Sequence, residues 1–255
     1  MIQVKPITSF TGFHLEQFGV FTHPSVKPFP VSPYEERYRA VYHAGGDRYY
    51  KREPNTSLHQ FLSTSQIASG NVAVLGCGEG RNISLFASSQ WAVFGLDLSP
   101  SALHRAYQDY RDFAMVKFIC ADVTKEVPDR LVGKLDLVIA IGLVHMLTDQ
   151  RDRMNLYAIV MMMLKPGGYF FLESNGDLNA DTAEILAGGK IEMRTIQTPV
   201  GEKQIPLVRL QTVMLNGQTM RNELEQSGLQ VVSMDSGTFR HPDTPRKQIV
   251  VVSRR

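Results

Sequence analysis

From position 72 onward the chain alternates short, unbroken apolar runs with stretches of helical spacing. The runs lie at 72–75, 93–96, 116–120, 135–141 and 169–172, and the helical stretches near 82–89, 100–110 and 150–164. An apolar run without alternation suits a strand buried on both faces, and strands separated by helices run parallel. The pattern therefore predicts an α/β, doubly wound sheet with helices on both faces. Pro166-Gly167-Gly168 marks a sharp stop before the fifth run, and two more strands fit at 229–234 and 248–253. The methionines at 161–163 read as helix packing onto the sheet.

Two segments break the alternation. IEMRTIQ and IPLVRLQTVML flank TPVGEK within 191–215 and read as a β-hairpin, placed after the fifth strand where it could cover the ligand end of the sheet. A helix at 219–227 follows, with Gly228 at its end. Before the sheet, helices are predicted at 33–42 and 57–69, the second opened by Pro54 and carrying Leu58, Phe61, Leu62 and Ile67 on its apolar side. The segment before Pro33 is rich in Pro, Phe and Thr and reads as an extended arm or a surface-packed tail. Tyr38, Tyr42, Tyr49 and Tyr50 cluster around Gly45-Gly46, glycines that would let the chain fold over as a lid. The organisation read from this is an arm or lid over 1–53 and a sheet domain over 54–255, with an insertion at about 187–218.

Composition narrows the partners. The net charge of +2 gives no reason to expect nucleic acid or an anionic membrane, and there is no basic strip to hold RNA. No apolar run approaches the roughly 20 residues of a membrane span. MIQVKPITSF lacks the features of a signal peptide. Cys77 and Cys120 have no CxxC partner and no metal-ligand spacing, so neither a disulfide nor a metal is expected, and a reducing, cytoplasmic setting is. The oligomeric state is not legible.

VAVLGCGEGRN, at 72–82, joins a buried run to a glycine-rich turn. Such a turn brings a ligand against backbone at the carboxyl end of a strand. The dinucleotide fingerprint is GxGxxG, with pyrophosphate at the helix N-terminus. Here the spacing is GxGxG and Arg81 stands where the third glycine would be, which disfavours an NAD(P)-linked oxidoreductase. About 20 residues on, Asp97 ends the second strand, where a carboxylate binds ribose hydroxyls. Asp122, ending the third strand in FICADV, could accept from an adenine amino group.

GCGEGRN, GLDLSPSAL, ICADV, KLDLVIAIGLVHML and LKPGGYFFLES together resemble the successive motifs of class I S-adenosylmethionine-dependent methyltransferases. Within that group GEGRN and LKPGGY are similar to the tellurite-resistance-type small-molecule enzymes. The resemblance covers about 54–174. It implies a Rossmann-like sheet, mostly parallel with an antiparallel last strand, and S-adenosylmethionine as cofactor, with S-adenosylhomocysteine as product. By it, Gly76, Gly78 and Gly80 lie along the methionine part, Asp97 holds the ribose, Asp122 and Val123 read the adenine, and Cys77, Asn82 and Leu98 also bind the cofactor. Ile141 and Gly142 would flank the sulfonium. Many relatives carry an acid two positions before the first glycine; here that position is Val74.

Transfer from a sulfonium is an in-line displacement of an already activated methyl, so alignment and water exclusion dominate and no base is dictated. The candidates for catalysis are His145 after the fourth strand, Glu173 at the end of the fifth, and Tyr50. Tyr42, Ser174, Asn175, Arg194 and Arg209 are candidates for the acceptor, the two arginines as a carboxylate clamp. No (D/N/S)PP(Y/F/W) follows the fourth strand, no acid there pairs with a later Asp-Asn, and no glutamate pair brackets that loop. These absences disfavour DNA-amino, catechol-type and arginine methyltransferases. The expected acceptor is therefore a small molecule. The alternatives are intramolecular cyclisation of the same cofactor and a cofactor-binding regulatory protein.

Overall fold

The structure is a computed structural model that describes residues 32–49, 53–87, 90–236 and 247–255, together with the backbone of 20–22. In chain order the elements are β1 (Val20–Thr22), α1 (Pro33–His43), α2 (Thr56–Thr64), β2 (Gly70–Leu75), β3 (Trp91–Asp97), α3 (Pro100–Tyr110), β4 (Val116–Cys120) and β5 (Leu135–Ile141). They continue with α4 (Gln150–Met163), β6 (Leu164–Asp177), β7 (Glu184–Leu186), β8 (Ile191–Thr198), β9 (Gly201–Val208), β10 (Thr212–Asn216), α5 (Gly217–Gln226), β11 (Gln230–Ser236) and β12 (Gln248–Arg254).

Strands β1-β4-β3-β2-β5-β6 pair in that order and all run parallel; β12 adds antiparallel to β6, and β11 antiparallel to β12. Successive strands step one way from β2 to β3 and the other way from β2 to β5. The crevice beyond the carboxyl ends of β2 and β5 is thus the topological switch point, where ligands of such sheets bind. The unbroken apolar runs are explained by cover on both faces. Ala73, Leu75, Val138, Ala140 and Phe170 pack with Leu156, Val160 and Met163 of α4 and Met220 and Leu224 of α5. Val72, Val74, Leu137, Ile139 and Phe171 pack on the other side with Leu58 of α2 and Leu103 and Ala106 of α3. Each helix starts on a side-chain cap: Ser32, Asn55, Ser99, Asp149 and Asn216 each accept a backbone N–H of the first turn.

Three expectations are corrected. The helix at 82–89 is a single 3₁₀ turn, Ile83–Leu85, within the described part of that stretch; Ser84 turns its hydroxyl back on the Arg81 carbonyl at 2.7 Å, a local bond that competes with a helix. The helix at 57–69 stops at Thr64, because Ser65 is extended. The run 205–215 is two strands. The first, β9, pairs only with β8, while β10 joins the main sheet parallel to the end of β6 and antiparallel to β7. Between them Arg209 is held by backbone bonds to Gly189 and Lys190, which turn the chain from one sheet to the other.

Behind the sheet, Arg153 of α4 and Glu223 of α5 form a buried, two-pronged ion pair, Nε–Oε2 2.9 Å and Nη2–Oε1 2.6 Å. The remaining nitrogen, Nη1, donates to the carbonyls of Leu147 (2.8 Å) and Thr148 (3.2 Å), fixing the loop that follows β5. Glu223→Ala leaves this guanidinium buried without its counter-charge and is expected to cost about 3–5 kcal/mol of stability in urea unfolding. A loss below about 1 kcal/mol would mean that water already reaches the pair.

Candidate active site

The site grows from the turn after β2. Gly76, Gly78 and Gly80 all have positive φ, and the Cys77 N–H donates to the Leu96 carbonyl at 3.0 Å. Asp97, ending β3, accepts the N–H of Gly78 (2.7 Å) on one carboxylate oxygen and that of Ser99 (2.8 Å) on the other. Burial raises the Asp97 carboxyl above its ordinary range, and these backbone N–H groups oppose the rise. A carboxylate has about four acceptor positions, so these backbone N–H groups do not exhaust it.

α1 lies across this turn. Tyr34, Tyr38 and Tyr42 are spaced four apart and share one face. The Tyr34 hydroxyl donates to the Met146 carbonyl in the loop after β5 (3.3 Å). The Tyr38 hydroxyl stands over the glycines, so close that a Cβ at position 78 would sit 2.7 Å from it. The Tyr42 hydroxyl donates to Glu79 Oε1 at 2.7 Å, the same oxygen that accepts the Tyr49 N–H at 2.7 Å. One turn earlier, Glu35 accepts the hydroxyls of Ser99 and Ser101, each at 2.5 Å, just beyond Asp97. Burial and the Glu79 carboxylate hold the Tyr42 phenol far above its ordinary range, so it stays protonated.

The hairpin β8–β9 is tied to the same cover. Val41 and Tyr49 form a small core with Ile196, Ile205 and Leu207 of the hairpin. The Tyr49 ring lies 4.0 Å beneath the Arg194 guanidinium, which also donates to the Tyr49 carbonyl at 2.7 Å. Arg37 donates to the Tyr49 hydroxyl (2.8 Å), to the Val208 carbonyl and to Glu192.

At the other wall, Ile141 ends β5 and the Gly142 N–H donates to the Glu173 carbonyl at 2.9 Å. Glu173 is 1% exposed; Oε1 accepts from Asn55 Nδ2 at 2.8 Å, and Oε2 is buried with no hydrogen-bond partner among the described residues. Asn55 in turn donates its N–H to Asn82 Oδ1 at 2.9 Å and caps α2. His145 lies in a 3₁₀ turn, Val144–Met146, with Nδ1 3.4 Å from the Ser174 hydroxyl and 3.5 Å from the Asn175 N–H.

The expected residues thus divide. The glycines, Cys77, Asp97, Leu98 and Ile141 line or adjoin the strand ends at the switch point. Asn82 spends its side-chain oxygen on Asn55. Asp122 accepts from Thr124 at 2.6 Å and from Lys125 at 2.6 Å; burial opposes its charge, and these partners outweigh burial and hold the carboxyl below its usual range. Val123 is buried beside it. Glu173 and Ser174 are strand neighbours on opposite faces, so Ser174 joins His145 while Glu173 and Asn175 share the other side. Arg194 and Arg209 do not converge: Arg194 is held on Tyr49, and Arg209 lies on the other flank of α1. Tyr50 is outside the described residues. Burial pushes the Cys120 thiol up to about 12 and raises that of Cys77 as well, so neither is a ready nucleophile. The residue that the motif reading passed over is Glu79; its signal was a carboxylate placed between two turn glycines.

Residues 72–168 match the family model of a methyltransferase domain. No curated protein sequence matches the chain. Among solved structures, the fold is similar to a Burkholderia thailandensis 1,6-didemethyltoxoflavin-N1-methyltransferase with bound 1,6-didemethyltoxoflavin and S-adenosylhomocysteine. That similarity has 13% identity and a TM-score of 0.63, over 98% of this chain and 93% of that one. It is also similar to a glycopeptide N-methyltransferase complexed with S-adenosylmethionine (21%, TM-score 0.56, 80% of this chain and 95% of that one). A third similarity is to an S-adenosylmethionine-dependent methyltransferase of Methanosarcina mazei (13%, TM-score 0.59, 80% and 98%). The sheet, with its antiparallel last strand, is the Rossmann-like fold of S-adenosylmethionine-dependent methyltransferases, with a separate antiparallel hairpin added.

Glu173 supplies a pH test of this geometry. Its folded-state pKa is raised, chiefly by burial, so its contribution to stability is complete below the ordinary carboxylate range. That contribution is lost as pH climbs through the ordinary value towards the raised one. Glu173→Gln keeps the Asn55 contact and does not titrate. In urea unfolding the wild type should fall behind the variant as pH rises over this interval, then run parallel to it. A pH-independent difference would show that the carboxylate is solvated.

Proposed function

We propose that the protein is an S-adenosylmethionine-dependent methyltransferase acting on a small-molecule acceptor. The observation that carries this is the tie between Asp97 and the Gly78 N–H beneath α1. It fixes a glycine turn shaped for close backbone approach and puts a carboxylate with spare acceptor capacity at the end of β3. The residues fit the cofactor: Arg81 stands where the pyrophosphate fingerprint has its third glycine, and Gly76, Gly78 and Gly80 leave three turn positions free of side chains. Bound there, the cofactor supplies a sulfonium-activated methyl.

The protein's own residues would then do four things. Asp97 accepts ribose hydroxyls, and Asp122 with Val123 borders the adenine. Gly76 to Gly80 lie along the methionine part, where Glu79 holds the cover through Tyr42 and Tyr49. With Val74 apolar and buried, polar groups toward the methionine end come from the cover instead, Tyr38 first among them. α1, Tyr49 and the hairpin exclude water, which strengthens the electrostatics of the transfer. Tyr42 stays protonated, and His145, with Nδ1 facing the Ser174 hydroxyl and the Asn175 N–H, is the group best placed to take a proton from an acceptor that must lose one.

Within 1–53, α1 and Tyr49 act as a lid on the sheet domain of 54–255, and residues 1–19 and 23–31 of the predicted arm lie outside the described residues. The GEGRN and LKPGGY stretches support a place near the tellurite-resistance-type enzymes. Two buried free thiols, at Cys77 and Cys120, support a reducing cytoplasmic setting. Among the described residues no helix is long and apolar enough to cross a membrane.

Calorimetry with S-adenosylmethionine and S-adenosylhomocysteine tests the reading. Both should bind the wild type, and Asp97→Ala should weaken each by about 1–3 kcal/mol while the variant remains folded by circular dichroism. Unchanged affinity would remove Asp97 from the site, and tighter binding of NADH than of either sulfur ligand would overturn the class. Incubation with methyl-labelled cofactor then separates outcomes: label moves only when an acceptor is present in methyl transfer, and cofactor is consumed without one in cyclisation.

A further inference from the structure

Behind α1, on the flank turned away from the glycine turn, an open cleft of about 720 Å³ separates the helix from the base of the hairpin. Pro33, Arg37 and Ala40 line it from the helix, and Leu207, Arg209 and Leu210 from the hairpin side. Its walls are mostly apolar, and its size falls within the range of small-ligand pockets.

The charges in it are unevenly satisfied. Arg37 is held by Tyr49, Val208 and Glu192. Glu36 stands at the exposed rim. Arg209 lines the cleft as a half-buried residue, and its side chain has no hydrogen-bond or ion-pair partner among the described residues. Its backbone, by contrast, is pinned on both sides, the carbonyl by the Gly189 N–H at 2.8 Å and the N–H by the Lys190 carbonyl at 2.7 Å. Gly188 lets the two chains meet there, since a Cβ at that position would lie 2.6 Å from the Gln211 nitrogen. A rigid base thus presents one cation to an apolar cleft, the arrangement that suits a planar anion on an apolar body.

We propose that this cleft is a second binding site, for an amphipathic carboxylate, with Arg209 as its anion anchor. The site stands independently of the transfer reaction, because the body of α1 lies between it and the glycine turn. Its occupant touches α1 and the hairpin together and is a carboxylate ligand separate from the acceptor.

The probe is 1-anilinonaphthalene-8-sulfonate, an apolar anion, titrated by fluorescence into the full-length protein. Octanoate should displace it at least tenfold better than octanamide. Arg209→Gln should weaken the probe at least tenfold and remove that preference, with an unchanged thermal midpoint. S-adenosylhomocysteine should not displace it. Equal displacement by octanoate and octanamide, an unaffected Arg209→Gln variant, or displacement by S-adenosylhomocysteine would overturn the site. In turnover assays, octanoate that lowers kcat without raising the acceptor's KM supports a separate ligand acting through α1, and octanoate that raises only the acceptor's KM would place it in the acceptor site and overturn the separate one. Because the probe reports binding without turnover, failure here leaves the assignment of the glycine turn standing, and failure of that assignment leaves this one standing.

Discussion

The tie on which the site depends is the short bond from the Gly78 N–H to Asp97. A glycine turn is the most permissive backbone in a protein, and left alone it would sample many conformations. Asp97 removes that freedom by joining the end of β3 to the turn after β2, across the point where the sheet's order reverses. The Ser99 N–H on its other oxygen starts α3 from the same carboxylate. One side chain therefore sets the turn, the strand end and a helix start. A ligand that uses the turn's backbone and the carboxylate together reads them as one rigid surface.

The cover over that surface is held by a second, separate device. Glu79 grips Tyr42 and Tyr49 with a single oxygen, and Tyr49 in turn carries Arg37 and Arg194. Helix, tyrosine and hairpin share a small apolar core of their own. A core this small contributes little by itself, so the bonds through Glu79 are the main polar tie between the helix and the turn. Burial raises the carboxyl of Asp97, and its backbone N–H partners oppose the rise.

Much of this was legible in the sequence. Unbroken apolar runs report burial on both faces, which only a helix-covered parallel sheet supplies, so strands and their order of appearance could be read. The positive-φ glycines and Asp97 were readable because few residue types satisfy those positions. The contacts of Glu79, Glu35 and Asn55 were not, because each joins residues far apart in the chain that periodicity does not connect. Asn55 reaches Glu173 across 118 positions. Arg194 looked like a substrate cation for the same reason: an arginine in a strand shows no sign of the tyrosine it will cover. The run 205–215 looked continuous because the break at Arg209 comes from Gly188 and Gly189, which pack against it from outside the segment. In the described part of 82–89, helical spacing was outweighed by Ser84, whose hydroxyl bonds back to the Arg81 carbonyl.

Hydrogen–deuterium exchange with and without S-adenosylhomocysteine tests the central claim most directly, because it reads the turn and its cover at once. The account predicts slowed exchange in three places together: the glycine turn at 76–80, the Asp97–Ser99 junction, and α1. Slowing confined to the outer hairpin, or no slowing at the turn at saturating ligand, would contradict it.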